Sequence, residues 1–197
     1  MMIGKENFEE IFAALNRQIE VRGGVPIGLV VCGGTALTAL GLINRTTKDV
    51  DVLGRAEETS GGTKIFKMDE FPPWLKEAAR AVARDFGLPE GWLNLGPASQ
   101  LESGLPMGFE KRLVKRSFGR FLSIYFISRL DQIFFKLYAA VDRGDYHVLD
   151  LLALNPTREE MEEAVRWVLT QDVSEVFQSL LKDFLQKHAY GDIAKGI

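Results

Sequence analysis

One cysteine and two histidines in 197 residues close off several chemistries before any motif is considered. Cys32 alone can form neither an intramolecular disulfide nor a multi-cysteine metal site, and its place in "LVVCGG" reads as a buried strand thiol rather than a reactive one. His147 and His188 cannot by themselves build a histidine-rich metal centre. Net charge is scarce too: a formal balance of -3 gives the whole chain no drive toward nucleic acid or an anionic membrane, although it leaves local patches open. No apolar run approaches the length of a membrane span, and "MMIGKENFEE" lacks the basic and apolar regions of a secretory signal. The expectation is a cytoplasmic protein with no membrane contact.

What remains is an ordinary folding composition. A hydrophobic share of 46% with 26% charged residues fits a packed body and argues against extensive disorder. The chain predicts one domain over 1–197, with a sheet core over 22–127 and a helical region over 128–197 packed on it. The expected fold class is α+β with an α/β-type core, a small mixed sheet flanked by helices. "KENFEEIFAALNRQIEV" places Phe8, Ile11, Phe12, Leu15 and Ile19 at helical spacing, and "IGLVVCGG" reads as a short buried strand ending in a glycine turn. A helix is expected from about Thr35 through "ALTALGLI", then a strand in "KDVDVLG". "GRAEETSGGTK" reads as a flexible polar loop, "PPWLKEAARAVARDFGL" as a helix stopped near Gly87, and "KRLVKRSFGRFLSIYFIS" as two strands or one bent strand. From Arg129 onward every segment has helical spacing. Lys136, amid the stripe Leu130, Ile133, Phe134, Leu137 and Val141, either extends its ammonium outward or has a functional role.

The costly feature is "KDVDV". In an extended strand Asp49 and Asp51 project to one side while Val50 and Val52 face the other, and the two aspartate Cα atoms stand roughly 6.5–7 Å apart. Ionised groups in a buried strand lose hydration unless a cation or hydrogen bonds compensate. That spacing lets two carboxylates converge on Mg²⁺ or Mn²⁺, both of which favour hard oxygen ligands. Upstream, Gly33 and Gly34 permit close backbone approach, and a helix beginning near Thr35 offers its amino end to a phosphate. Paired carboxylates and a glycine turn at one sheet edge suit a nucleoside triphosphate carrying a divalent ion. Arg45 and Lys48 are either solvated charges or partners of the acids, with a nucleotide-binding role open to Lys48, and the basic run "KRLVKRSFGR" is either a solvated edge strand or a patch for substrate phosphate or RNA.

"GGTAL" followed by "RTTKDVDVL" resembles the signature of the polymerase beta-like nucleotidyltransferases: a Gly-Gly-Ser/Thr turn opening a helix, then a strand with Asp-x-Asp. The pattern "GGTAL…R.T.D.D", with "GWLN" at 91–94, Lys136 in "FFKLYAAVDRGD" and "RGDYHVLDLL" from Arg143, is similar to that of small prokaryotic abortive-infection toxins of this type. The similarity covers roughly residues 27 to 154. It implies that Gly33, Gly34 and Thr35 touch nucleotide phosphates, that Asp49 and Asp51 hold the metal, and that Lys136 approaches nucleotide or phosphate. It places Asp145 and Asp150 in a downstream helical motif. It further implies transfer of a nucleoside monophosphate to an acceptor hydroxyl on RNA, protein or a small molecule, with an antitoxin-type partner. The wider superfamily uses a third carboxylate on a later strand, and residues 111–127 contain no acid; Glu110 and Asp131 flank that stretch. Two readings therefore stand: an active transferase, or a nucleotide-binding module that kept the fold without turnover. A dinucleotide-binding oxidoreductase fits less well, because the GxGxxG spacing is missing and the acids are doubled.

Overall fold

The computed structural model describes all 197 residues, which form two compact units, Met1–Ser128 and Arg129–Ile197. In chain order the first runs α1 (Phe8–Val21), β1 (Ile27–Cys32), α2 (Gly33–Ala39), β2 (Val50–Thr59), β3 (Gly62–Phe66), α3 (Pro73–Phe86), β4 (Leu93–Asn94), α4 (Gln100–Ser103), β5 (Val114–Ser117) and β6 (Leu122–Phe126). The strands make one mixed sheet in the order β3-β2-β1-β6-β5, with β4 paired to β2 off that path. β1 lies inside the sheet because "IGLVVC" is apolar without alternation, as a strand covered on both faces requires. It runs antiparallel to β2 and parallel to β6.

One face of β1, through Ile27, Leu29 and Val31, packs with Phe8, Ile11, Phe12, Leu15 and Ile19 of α1, and α3 adds Leu75, Ala78, Ala79 and Val82 to the same core. α3 stops where expected, at Gly87, whose φ of 60° takes the left-handed conformation that ends helices. Trp92, fully buried, donates its indole N–H to the Ala79 carbonyl at 2.9 Å and so ties the approach of β4 to α3.

Three local expectations change. The segment read as a flexible loop, 54–64, is strand: β2 continues to Thr59 and turns into β3, with Arg55 opposite Phe66 and Glu57 opposite Lys64. β3 is an exposed edge with no covering layer on its outer side, so its first residues, Gly62, Thr63 and Lys64, have the composition of a loop while being paired as strand. α2 starts at Gly33, not Thr35, and ends at Ala39, short of "LGLI". β2 begins at Val50, which leaves Asp49 just outside the strand. Between Val30 and Val31 the β1–β2 register slips, because Val30 pairs with Gly54 and Val31 with Val52; Leu53 is the extra residue of a bulge.

The second unit is helical: α5 (Arg129–Asp142), α6 (Tyr146–Ala153), α7 (Arg158–Gln171), α8 (Glu175–Lys187) and α9 (Gly191–Ala194). α7 opens with a capping box, in which the Thr157 hydroxyl accepts from the Glu160 N–H and the Glu160 carboxylate accepts from the Thr157 N–H. Arg129 grips the same carboxylate with both terminal nitrogens, at 2.5 and 3.1 Å, and also donates to the carbonyls of Leu154 and Asn155. Trp167 of α7 stacks on Phe135 with centroids 5.5 Å apart, and Phe177 of α8 meets Tyr138 at 5.4 Å.

The Arg129 hydrogen bonds hold the Glu160 carboxyl below the usual glutamate value, against the opposing effect of burial, and the Thr157 N–H lowers it further. A carboxylate depressed in the folded state stabilises above its unfolded pKa of about 4.3 and loses that contribution as pH falls through the lower folded value. Glu160→Gln should therefore lower the unfolding free energy at neutral pH by about 1–2 kcal/mol. Urea titrations of wild type and variant should converge as pH falls through the depressed folded value, where the Glu160 carboxyl becomes neutral.

Candidate active site

The carboxyl end of β1, the start of α2 and the first residues of β2 meet in one place, because Cys32 stands opposite Asp51 in the antiparallel pair. Gly33, the next residue, has φ of 68°, a conformation few side-chain-bearing residues adopt. A Cβ built there would fall 2.5 Å from Oδ2 of Asp51, so glycine is required by space as well as by φ. Gly34 is packed as closely: a Cβ on it would stand 3.0 Å from an Arg45 guanidinium nitrogen and 3.1 Å from the Thr47 hydroxyl oxygen. The glycine pair thus brings the backbone against the very residues that carry the charge.

Each aspartate accepts a hydrogen bond from a neutral side chain. The Thr47 hydroxyl donates to Oδ1 of Asp49 at 2.9 Å, and Thr47 is itself fixed by paired backbone hydrogen bonds with Ile3. The Thr35 hydroxyl, buried at 1% exposure, donates to the Asp49 carbonyl at 2.8 Å. Thr35 therefore ties α2 to the approach of β2 instead of presenting its hydroxyl to solvent. Asp51 is half-buried, and its Oδ1 accepts from the Asn94 amide at 3.2 Å. Asp49 and Lys48 are exposed. The two carboxylates suit a hard divalent cation such as Mg²⁺ or Mn²⁺, while the buried Cys32 thiol opposite Asp51 donates to the Asp51 carbonyl at 3.6 Å. No group of three or more His, Cys, Asp or Glu side chains in the protein is arranged to hold a metal ion.

The two acids flanking the acid-free stretch, Glu110 and Asp131, belong one to each unit. Glu110 lines a surface groove of about 500 Å³ with Ile65, Lys67, Leu101 and Leu105. Asp131 is fully buried in α5. The basic run is divided between two faces, as alternation requires. Lys115 pairs with Glu58 of β2 at 2.7 Å, a contact that raises the ammonium pKa and lowers that of the carboxyl. Arg116 lies over the rings of Phe8 and Phe126.

In the second unit Lys136 does not extend outward, the first of the two readings left open for it. It is buried at 4%, ion-paired with Asp150 at 2.7 Å, and its Nζ lies 3.5 Å from Nδ1 of His147 and 5.5 Å from the centre of the Tyr146 ring. Asp150, 14 residues further on, meets Lys136 because α5 and α6 pack together across the turn at Gly144. Asp145 occupies the N-cap position of α6 with φ of 55°, yet its side chain makes no capping hydrogen bond.

The sequence pattern of a family described as nucleotidyltransferase of unknown function (DUF6036) matches residues 6–155. The match covers more than half of the chain, and the protein belongs to that nucleotidyltransferase family. No curated protein and no solved structure matches the chain. No helix is long and apolar enough to cross a membrane. The matched stretch takes in β1, the glycine turn, both aspartates, β4 and the Lys136–Asp150 pair. Thr47 and Asn94 are the residues whose part sequence reasoning did not assign, although "R.T.D.D" and "GWLN" both contain them.

Gly33→Ala should cost about 1–3 kcal/mol in urea unfolding, because strained φ and the Asp51 carboxylate both oppose the methyl. Lys136→Met should cost about 3–5 kcal/mol by leaving Asp150 buried without a cation, and adding Asp150→Leu should return most of that loss in the same assay.

Proposed function

We propose that the protein is a metal-dependent nucleotidyltransferase of the polymerase beta-like type, which transfers a nucleoside monophosphate from a nucleoside triphosphate to an acceptor hydroxyl. The observation that carries this reading is the pair Asp49 and Asp51, held by Thr47 and Asn94 beside a glycine turn that permits backbone approach. Family membership supports the transfer of a nucleotidyl group. Asp49 and Asp51 would hold Mg²⁺ or Mn²⁺. Bound there, the ion would neutralise the triphosphate and make its α-phosphorus more open to attack.

The protein's own groups do the rest. Gly33 and Gly34 let Asp51, Arg45 and Thr47 close against the backbone of the turn, so that carboxylate, guanidinium and hydroxyl stand together where the metal-bound triphosphate would dock. Thr35 holds the turn and Asp49 in fixed relation. Lys48, exposed beside Asp49, is positioned in sequence to add positive charge for phosphate. In the net reaction the acceptor oxygen bonds to the α-phosphorus, the α–β phosphoanhydride breaks, pyrophosphate leaves, and the acceptor's proton passes to water. Lys136 is given no step in this reading, because it is buried and ion-paired with Asp150 within the second unit. The acceptor is an RNA, protein or small-molecule hydroxyl, and a toxin-like role with an antitoxin-type partner follows from the resemblance of the glycine-turn block.

One observation favours a second reading: no third acidic side chain joins the aspartate pair. A chain that binds nucleotide without turnover would need no more than these two. Calorimetric titration of nucleoside triphosphates with Mg²⁺ or Mn²⁺ into wild type and the Asp49→Ala, Asp51→Ala double variant separates the readings when pyrophosphate is followed in parallel. Metal-dependent binding lost in the variant, with pyrophosphate released in the presence of acceptor, supports the transferase. Binding without release supports the module, and no binding by wild type rejects both.

A further inference from the structure

β4 is only two residues long, yet it is the element that places a side chain directly beside Asp51. It pairs parallel with β2, Leu93 against Val50 and Asn94 against Asp51. Paired residues of adjacent strands project to the same face of a sheet, so Asn94 and Asp51 are neighbours by register and not by chance of rotamer. The short strand is firmly anchored. Trp92 and Leu93 are buried, the Trp92 carbonyl accepts from the Val50 N–H at 2.5 Å, and the indole is tied to α3.

The hydrogen bonds leave one orientation for the Asn94 amide. Its Oδ1 accepts from the Gly96 N–H at 2.8 Å, a contact that only the oxygen can make. Nδ2 is thereby turned to Asp51, 3.2 Å from Oδ1 and 3.4 Å from the Val50 carbonyl. We infer that Asn94 is a positioning residue for the cation site: it fixes the orientation of the Asp51 carboxylate with a neutral donor and keeps the local carboxylate count at two. The inference rests on the metal-site reading above. Aspartate has almost the same shape, would retain the Gly96 contact, and differs by exchanging the amide donor for a second charged oxygen facing Asp51. The identity of this one group therefore sets the charge available to a divalent ion.

The test uses the full chain and Mn²⁺ alone, titrated calorimetrically into wild type, Asn94→Ala, Asn94→Asp and the Asp49→Ala, Asp51→Ala variant. Thermal midpoints are recorded for each in EDTA and in Mn²⁺. Asn94→Ala should weaken Mn²⁺ binding by about 10- to 100-fold, the range for loss of a residue that orients a metal ligand. Asn94→Asp should bind Mn²⁺ more tightly than wild type and show a larger Mn²⁺-dependent rise in midpoint, from a lower starting point in EDTA where the carboxylates repel. A merely structural asparagine would lower midpoints in both variants without moving Mn²⁺ affinity in opposite directions. Wild-type affinity in Asn94→Ala, or no gain in Asn94→Asp, overturns the inference while Mn²⁺ binding lost in the double-aspartate variant leaves the metal site standing. Absence of Mn²⁺ binding by wild type overturns both.

Discussion

A carboxylate at a half-buried strand position is tolerated only if something replaces the water it has lost, and in this protein that requirement falls on Asp51. The neighbouring strand answers with an amide, the preceding turn answers with a residue that has no side chain, and Asp49 two residues earlier is held by a threonine hydroxyl. Each of those answers constrains a further element. Gly33 opens α2, Asn94 requires a strand stub anchored by Trp92, and Thr47 requires the bridge to Ile3. Much of the first unit's irregular backbone is thus organised around two charges.

The bulge at Leu53 belongs to the same arrangement. An added residue in β2 lets Val52 and Leu53 both be buried, and the two ends of the strand no longer share one alternation. The upstream end can present Asp51 beside Asn94 while the downstream end continues into an exposed hairpin with β3. Charge on the second unit is handled differently. Lys136 and Asp150 neutralise each other inside the helices, with the Tyr146 ring over the ammonium, so the pair contributes little field beyond its own surroundings.

The fold class was legible because its signals are strong and local. The apolar run of β1, the helical stripe of α1 and the unbroken helical spacing after Arg129 each announce their element through periodicity. The aspartate pair and glycine turn were legible because few structural needs place those residues together. The hairpin after Gly54 was not, since an exposed edge strand has the composition of a loop and only pairing distinguishes them. Nor was the fate of Lys136, because the acid that neutralises it comes from the next helix. Asn94 escaped for a related reason: a two-residue strand has no periodicity, and its importance lies in its register with β2.

The edge of the family match has a physical consequence. The matched region ends at Asn155, but Arg129 on the near side of that point is fastened to Glu160 on the far side, and Phe135 and Tyr138 are covered by Trp167 and Phe177. A shared sequence boundary is therefore not a folding boundary. A polypeptide ending at residue 155 would expose the aromatic flank of α5 and leave the Arg129 fork without its carboxylate, and it would be prone to self-association through that bared surface. The helices beyond the match act as a sleeve that covers the aromatic flank of α5 and supplies the carboxylate that Arg129 grips.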